Sequence, residues 1–315
     1  MPICRAFDLA SITLGAPDLD VAARFLDDFG LLATQREPRR LFARGTDAAQ
    51  YVYVVEQGPA RFHGFAFAVR TREDLEQLSL ASGSPIEAID APGGGERVRL
   101  IEPNGYWVDA VHGIASLEPI SVARHKPNTG DAPLARGLDL LRLPKGRSTP
   151  VKRIAHVVLA TPRLKETVEW FHHHFGLVTS DRVYAGDESN VIGSFDRLDR
   201  GQDPVDHHVL FCAASASTGL QHVSFESPDF DAVLADHHFL KGTGRYEHLW
   251  GVGRHLLGSQ VFDYWADPWG RAHEHWADSD RLNGSAEPVS WPVHEGFVTQ
   301  WGEEPPERFR NCVSP

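Results

Sequence analysis

The hydrophobic pattern of the chain occurs twice. Residues 9–31 (LASITLGAPDLDVAARFLDDFGL) and 154–177 (IAHVVLATPRLKETVEWFHHHFGL) each contain an apolar, β-branched run, a proline and a segment of helical periodicity ending in Phe-Gly-Leu. The apolar run predicts a strand and the segment after it predicts a helix. Gly30 and Gly176 stand where a left-handed helix cap belongs. Each stretch therefore predicts a strand followed by a helix.

Two later segments also occur in both halves of the chain. Residues 62–69 (FHGFAFAV) match 220–227 (LQHVSFES), and residues 99–111 (RLIEPNGYWVDAV) match 264–276 (YWADPWGRAHEHW). In the second pair, Glu-Pro-Asn-Gly and Asp-Pro-Trp-Gly predict a turn between two strands. A unit of strand, helix and further strands that occurs twice predicts an α+β fold made of two homologous modules.

Changes in this pattern divide the chain. We assign the two modules to 1–125 and 151–283, a linker to 126–150 and a C-terminal tail to 284–315. The linker is rich in Pro, Gly and Lys, a composition typical of connecting segments. The tail contains five prolines and no clear periodicity. We therefore expect the tail to pack on the body of the protein.

Composition and charge exclude several classes of function. Apolar residues make up 42% of the 315 residues, which is enough for a sizeable core. The 43 acidic residues outnumber the 31 basic ones, and no dense Lys/Arg run occurs, so nucleic acid is not an expected partner. No apolar stretch approaches the ~20 residues of a membrane span. The three cysteines form neither a metal-ligand pair nor an even disulfide set, and no leader is evident, so we expect a cytoplasmic protein without membrane contacts.

The two modules differ at equivalent positions on their predicted strands. The C-terminal module carries His156, His222 and Glu274. The matching positions in the N-terminal module hold Ser11, Gly64 and Asp109. Any one of the 17 histidines is more simply explained as a packed or exposed side chain. Two histidines and a carboxylate delivered from three strands, however, form the ligand set of non-haem Fe(II) centres. The pattern predicts a metal site in the C-terminal module and a packed or occluded counterpart without metal in the other.

A second group of polar residues accompanies this set. His255 precedes Tyr264, and Tyr264 and Glu274 lie on predicted strands joined by the Asp-Pro-Trp-Gly turn, so that the hydroxyl and a metal can share a cavity. His207 and His208 are adjacent in DHHVLF, which we interpret as a strand. Because strand side chains alternate between faces, only one of the two can then face inward.

These motifs resemble those of the type I extradiol ring-cleavage dioxygenases of the vicinal oxygen chelate superfamily, which includes catechol 2,3-dioxygenases and dihydroxybiphenyl dioxygenases. The residues that carry the resemblance are Gly253-Arg254-His255, Gly258, Tyr264, Asp267-Pro268-Trp269-Gly270 and Glu274. The resemblance covers about 1–280, with its strong motifs in 151–276. Ser259-Gln260 departs from the Asp-Asn of many members, which bears on the shape of the pocket and not on the metal site.

The resemblance implies a fold and a reaction. The fold is two tandem modules of paired βαβββ repeats that form open barrels, with the metal site in the C-terminal one. The reaction is cleavage of a small aromatic diol next to the vicinal hydroxyls, in aromatic catabolism. It uses O₂ as co-substrate and Fe(II), or alternatively Mn(II), and gives a hydroxymuconic semialdehyde-type product. A homo-oligomer is expected.

The resemblance also implies roles for particular residues. The metal ligands are His156, His222 and Glu274. His208, chosen over His207 because apolar residues follow it, is the acid/base, and the residues expected to contact the substrate beside it are His255 and Tyr264. His248 and Trp250 are further candidates for the pocket mouth, against simple packing. Two other functions remain open: a glyoxalase-like metal-dependent isomerase and a drug-binding protein without enzymatic activity.

Overall fold

The structure, a computed structural model, describes residues 1–122, 128, 130 and 146–315. Most of the predicted linker 126–150 lies outside the described residues. The strands form an eight-stranded sheet, a ten-stranded sheet and a two-stranded sheet. The predicted α+β class is confirmed.

The eight-stranded sheet contains two successive βαβββ units. The first consists of β1 (Ala6–Ala16), α1 (Leu19–Asp28), β2 (Leu32–Arg36), β3 (Arg40–Arg44) and β4 (Tyr53–Gln57). The second consists of β5 (Phe62–Val69), α2 (Arg72–Ser82), β6 (Ile86–Ala88), β7 (Glu96–Ile101) and β8 (Trp107–His112). The first strand of each unit pairs in parallel with the last strand of its own unit, and β1 pairs antiparallel with β5.

The ten-stranded sheet repeats this plan. Its first unit consists of β9 (Ile154–Thr161), α3 (Leu164–Phe175), β10 (Val178–Tyr184), β11 (Val191–Arg197) and β13 (Leu210–Ala214). The short β12 (Val205–Asp206), between β11 and β13, belongs to the two-stranded sheet. Its second unit consists of β14 (Gly219–Glu226), α4 (Phe230–Thr243), β15 (His248–His255), β16 (Val261–Ala266) and β17 (Ala272–Ala277). Strand β9 pairs in parallel with β13 and antiparallel with β14, which pairs in parallel with β17. The paired repeats expected from the sequence are therefore present in both sheets.

The helices begin and end where the sequence pattern predicts. The Asp18 side chain caps α1 by accepting from two backbone N–H groups of its first turn. Gly176 ends α3 in the left-handed conformation, with φ 63°. Gly30, with φ 87°, turns the chain after α1 toward the segment at Thr149, whose carbonyl leaves no room for a Cβ. No helix in the described part of the chain is long and apolar enough to cross a membrane.

Strand β17 connects the two sheets. His273 and His275 face the first sheet, where Nε2 of His273 lies 2.9 Å from the hydroxyl of Tyr53 and Nε2 of His275 lies 2.8 Å from the carbonyl oxygen of Phe29. Glu274, between them, points to the opposite face, as strand alternation requires. The N-terminal module thus contacts the face of β17 opposite to Glu274.

The C-terminal segment extends the second sheet at both ends. It contains β18 (Arg281–Leu282), β19 (Val289–Pro292), α5 (Val293–Gly296), β20 (Thr299–Trp301) and α6 (Glu307–Arg310). Strand β19 pairs in parallel with β10, β20 pairs antiparallel with β15, and β18 pairs with β12.

Candidate active site

His156, His222 and Glu274 converge on one point inside the second sheet. They lie on β9, β14 and β17, three strands that are neighbours in that sheet. Nε2 of His156 lies 3.3 Å from Nε2 of His222 and 2.9 Å from Oε2 of Glu274. Nε2 of His222 lies 3.5 Å from the same oxygen. All three side chains are buried. The structure therefore brings the three predicted ligands together.

The surroundings of these groups fit a metal ion. Neither carboxylate oxygen of Glu274 has a hydrogen-bond donor of acceptable geometry among the described residues. A buried, unpaired carboxylate is costly unless a cation neutralises it. Nδ1 of His222 contacts the side-chain oxygen of Gln221, which leaves Nε2 as the ligand atom. Two imidazole nitrogens and a carboxylate oxygen around one point are ligands suited to a divalent transition metal.

The pKa values of the candidate ligands also favour metal binding. Burial lowers the pKa of His222 to about 3, so that its imidazole is neutral. Burial raises the pKa of Glu274, but the neighbouring imidazoles, above all His156, outweigh this effect and hold the pKa well below its usual range. Since metal ligands must be deprotonated, both groups are in the required form at neutral pH.

His208 lies beside this site, but not in a strand as predicted. The chain bends at His207 and Val209, on either side of His208, and β13 begins at Leu210. Both imidazoles are therefore buried, and their Nδ1 atoms lie 3.1 Å apart. Only His208 lines the cavity, as expected, although the two residues do not alternate within a strand and His207 is buried beside it. The His208 ring centroid lies 4.3 Å from that of His156.

Burial lowers the pKa of His208 well below its usual value, and the nearby His156 imidazole adds to this effect. The ring is therefore neutral at neutral pH. A neutral imidazole at the edge of a metal site can accept a proton from a bound molecule.

His255 and Tyr264 form a pair on the other side of the ligands. Nε2 of His255 lies 3.0 Å from the hydroxyl of Tyr264, and Tyr264 is the register partner of Glu274 across β16 and β17. Burial raises the pKa of Tyr264 well above its usual value, and the negative charge of Glu274 adds to this effect. The phenol therefore keeps its proton and can donate a hydrogen bond to a bound oxygen.

A cavity of about 620 Å³ opens above these six residues, all of which line it. This size suits a small aromatic ligand. Most of its wall is apolar, and the principal apolar side chains are Val158, Phe195, Phe211, Leu257, Phe297 and Phe309. The sequence analysis missed all six of these wall residues. Phe297 and Phe309 belong to the tail, where no periodicity indicates which residues face inward.

Of the two further candidates, only Trp250 lines the cavity. Its ring is stacked on Tyr264 at a centroid distance of 5.4 Å. The assignment of His248 to the pocket is corrected: its Nε2 lies 2.8 Å from Oδ1 of Asp263, and it does not contact the cavity. A register shift in the β15–β16 pairing between His248 and Trp250 breaks the alternation that would place both on one face.

The N-terminal module holds an ion pair where the other module has its ligands. Strand register aligns Ser11 and Asp109 with Ala66, as it aligns His156 and Glu274 with Ser224. Arg99 binds both carboxylate oxygens of Asp109 at 2.8 Å. The prediction that this counterpart of the active cavity is packed or occluded is wrong, however, because a cavity of about 300 Å³ lies there. The small side chains of Ser11 and Gly64 leave this space open.

No family model matches the chain. Metapyrocatechase 2 of Cupriavidus necator is 30% identical over 299 residues, which cover 94% of this chain and 89% of the relative.

Solved structures resemble this chain in fold. Homoprotocatechuate 2,3-dioxygenase from Brevibacterium fuscum matches with a TM-score of 0.79 at 19% identity, over 99% of this chain and 94% of its own. The dioxygenase LapB from Pseudomonas sp. KL28 matches with a TM-score of 0.76 at 19% identity, over 93% and 99%. The Mn(II)-bound glyoxalase from Novosphingobium aromaticivorans matches with a TM-score of 0.79 at 22% identity, over 96% and 94%. The solved structures agree with this chain in fold, and the sequence relative shows that the chain belongs to the type I extradiol ring-cleavage dioxygenases of the vicinal oxygen chelate superfamily.

Proposed function

We propose that this enzyme cleaves the ring of a small aromatic diol next to its two hydroxyl groups, with O₂ and Fe(II), and releases a hydroxymuconic semialdehyde-type product. The observation that carries the proposal is the convergence of His156, His222 and an unpaired Glu274 at the base of an apolar cavity. The name of the metapyrocatechase relative supports the same reaction.

The proposed metal ligands are His156, His222 and Glu274. Fe(II) is the proposed metal, with Mn(II) as the alternative, since both accept two imidazoles and a carboxylate. The bound metal would supply the electronic path between the diol and O₂. The protein determines where the diol lies and how its protons move.

His208 is the proposed acid/base. Its neutral ring can take the proton of a diol hydroxyl when the substrate binds, and can return it to oxygen as the ring opens. Tyr264 is proposed to donate its hydroxyl hydrogen to a substrate oxygen, while His255, 3.0 Å from that hydroxyl, holds the phenol in place. Trp250 and Phe309 are proposed to confine the aromatic ring, since both line the cavity.

Several broader properties are part of the same proposal. We propose the division into modules 1–125 and 151–283 with a tail at 284–315, which is supported by the eight-stranded sheet within 6–112 and the ten-stranded sheet that starts at 154. A cytoplasmic location is supported by three buried cysteines without disulfides. A homo-oligomer remains a prediction.

The two alternative functions have less support. A glyoxalase-like isomerase is expected to use four protein ligands, drawn from both modules, but in the described N-terminal module Asp109 is paired with Arg99. A drug-binding protein without metal would not need an unpaired buried carboxylate beside two imidazoles.

The test is turnover of a panel of diols by the Fe(II)-loaded protein. We expect oxygen uptake and a yellow ring-opened product with simple catechols, biaryl diols or carboxylated catechols. The Glu274→Gln variant serves as the control and should give neither signal. If the iron-loaded protein cleaves no diol but turns over a glutathione hemithioacetal, the result would instead support the isomerase.

A further inference from the structure

His207 joins the proposed acid/base to a carboxylate. Nε2 of His207 lies 2.7 Å from Oδ2 of Asp181 on β10, and its Nδ1 lies 3.1 Å from Nδ1 of His208. Asp181 and both rings are largely or fully buried. The three side chains form a continuous line of hydrogen bonds that ends at the cavity.

We infer that Asp181 and His207 are positioning residues that set the tautomer of His208, so that its Nε2 presents a lone pair to the cavity. The inference rests on the proposed function, in which His208 accepts the proton of a diol hydroxyl. It assigns a role to two residues that do not touch the substrate.

The direction of the hydrogen bonds follows from the chemistry of each group. An ionised carboxylate only accepts, so Nε2 of His207 carries a hydrogen. The Nδ1 atoms of His207 and His208 face each other, so one must donate and the other accept. We place this hydrogen on His208, so that Nδ1 of His207 accepts it. With its hydrogen on Nδ1, His208 leaves Nε2 free to act as a base.

Contacts from several elements fix the positions of His207 and His208. The Ser180 hydroxyl donates to the carbonyl oxygen of His207 at 2.6 Å. The Phe195 ring contacts both imidazoles, with centroid distances of 5.5 and 5.0 Å. Gly258 approaches so closely that an added Cβ would lie 3.1 Å from Nδ1 of His207. These contacts restrict rotation of His207 away from His208.

Trp291 fixes the orientation of Asp181. Its indole Nε1–H donates to Oδ1 at 3.1 Å, while Oδ2 faces His207. Because an indole only donates, the group next to it must accept. In Asp181→Asn the amide oxygen therefore stays at Trp291 and the NH₂ group faces His207. This reverses both hydrogen bonds and moves the hydrogen of His208 to Nε2.

The decisive experiment measures the tautomer directly. Protein labelled with ¹⁵N-histidine and loaded with diamagnetic Zn(II) is examined by long-range ¹H–¹⁵N correlation, with His208→Phe to assign the signals. We expect the Nδ1–H form of His208 in the unmodified protein and in Trp291→Phe, and the Nε2–H form in Asp181→Asn. The inference is overturned if His208 has the Nε2–H form in the unmodified protein, or if Asp181→Asn leaves its tautomer unchanged.

Rescue separates this role from a structural one. In Asp181→Asn/Trp291→Phe the amide is free to turn its oxygen toward His207, so the Nδ1–H form should return. In the Fe(II)-loaded protein, with a diol that it cleaves, kcat should fall about 10-fold or more in Asp181→Asn, while KM and metal content stay unchanged. In the double variant, kcat should recover. If Asp181 had only a structural role, the double variant would have the lowest kcat of these variants.

A second substitution keeps the inference testable if the Asp181 variants fold poorly. His207→Gln keeps a donor for Asp181 but no longer reaches His208, so it should lower kcat with KM retained. Equal kcat in His207→Gln and the unmodified protein would also overturn the inference. If the unmodified protein cleaves no diol, the proposed function fails, whereas the tautomer measurement still decides the positioning role.

Discussion

Glu274 and Asp263 are both buried carboxylates that face two imidazoles. Asp263 accepts from His237, His248 and Trp265 at 3.0, 2.8 and 2.5 Å. Glu274 has no such donor in the part of the chain that the structure describes. Because a buried polar group must be satisfied, hydrogen bonds account for the Asp263 cluster, whereas the surroundings of Glu274 suit a cation.

Replacing Glu274 by Gln should therefore empty the metal site. The substitution removes the negative charge that offsets the dication while it keeps the size of the side chain. We expect metal content measured by atomic emission to fall to near zero after dialysis. Asp109→Asn, the matched change in the N-terminal module, should leave metal content unchanged, and loss of metal in that variant would refute the assignment of the site to the C-terminal module.

His208→Phe should separate chemistry from metal binding. His208 contacts the candidate ligands but is not one of them, so we expect metal content to stay intact. Turnover should fall by about 10² to 10⁴, the usual contribution of a positioned acid/base. His156→Ala should lose metal and activity together. Loss of metal in both variants would show that His208 is itself a ligand.

Sequence comparison between the two halves can predict individual residues only where the strands of the two modules correspond. The repeat aligns His156, His222 and Glu274 with Ser11, Gly64 and Asp109, and the register shift beside His222 recurs beside Gly64, so their convergence could be predicted. His248 could not be placed, because a register shift in β15 is decided by packing. The bends at His207 and Val209, which lie between β12 and β13, could not be predicted either.

At the scale of elements, the tail is part of the candidate site. Phe309 on α6 places its ring 4.4 Å from that of Tyr264 and 6.0 Å from that of His222, measured between centroids. Gln221 donates to the carbonyl oxygen of Phe309 at 3.1 Å, which ties α6 to β14. The tail thus forms part of the cavity wall.

Phe309→Ala should weaken substrate binding more than catalysis. Loss of the ring opens the cavity wall, so we expect KM for the diol to rise about tenfold, which corresponds to about 1.4 kcal/mol, with a smaller change in kcat. Steady-state kinetics at fixed O₂ measure both. Phe230→Ala, at a position that is 42% exposed on α4, is the control and should leave KM unchanged. Equal effects of the two variants would exclude the tail from the site.

Helix α4 contains a carboxyl group that makes stability depend on pH. Burial raises the pKa of Asp236 to about 8, although the backbone N–H of Thr149 donates to Oδ1. The folded state therefore holds this proton more tightly than the unfolded state, where the pKa is about 3.9. The resulting stability is lost as pH rises from about 4 to about 8.

Asp236→Asn should remove this loss, because the amide keeps the acceptor for Thr149 and does not ionise. We expect the difference in unfolding free energy between variant and unmodified protein to grow from pH 5 to pH 8, by up to about 1.4 kcal/mol per pH unit. Urea unfolding at several pH values measures it. Asp187→Asn, at a fully exposed position, should show a constant difference. A constant difference for Asp236→Asn would contradict the raised pKa.

The first strand and helix of each module could be predicted from the sequence because their periodicities differ, and the paired βαβββ repeats followed from the family resemblance. The strands β19 and β20 could not, since they are short and their pairing with β10 and β15 depends on contacts far away in sequence. The walls of the cavity depend on these strands.

At the scale of the whole molecule, one module supports the site that the other contains. Arg271 at the turn before β17 donates to the carbonyl oxygen of Gly15 at 2.7 Å and pairs with Asp267. His273 contacts Tyr53 of the first sheet on the face of β17 opposite to Glu274. Glu274 is therefore carried by a strand that both modules hold, which keeps its carboxylate in position without a hydrogen-bond donor of its own.

The central claim is that this site inserts O₂ into an aromatic diol. The most direct test follows oxygen consumption, ring-opened product and hydrogen peroxide together in the Fe(II)-loaded protein with its best diol. We predict equal amounts of oxygen consumed and ring-opened product formed, no peroxide, and no reaction in Glu274→Gln. Oxygen consumption that ends in peroxide and a quinone, with no ring-opened product, would contradict the account.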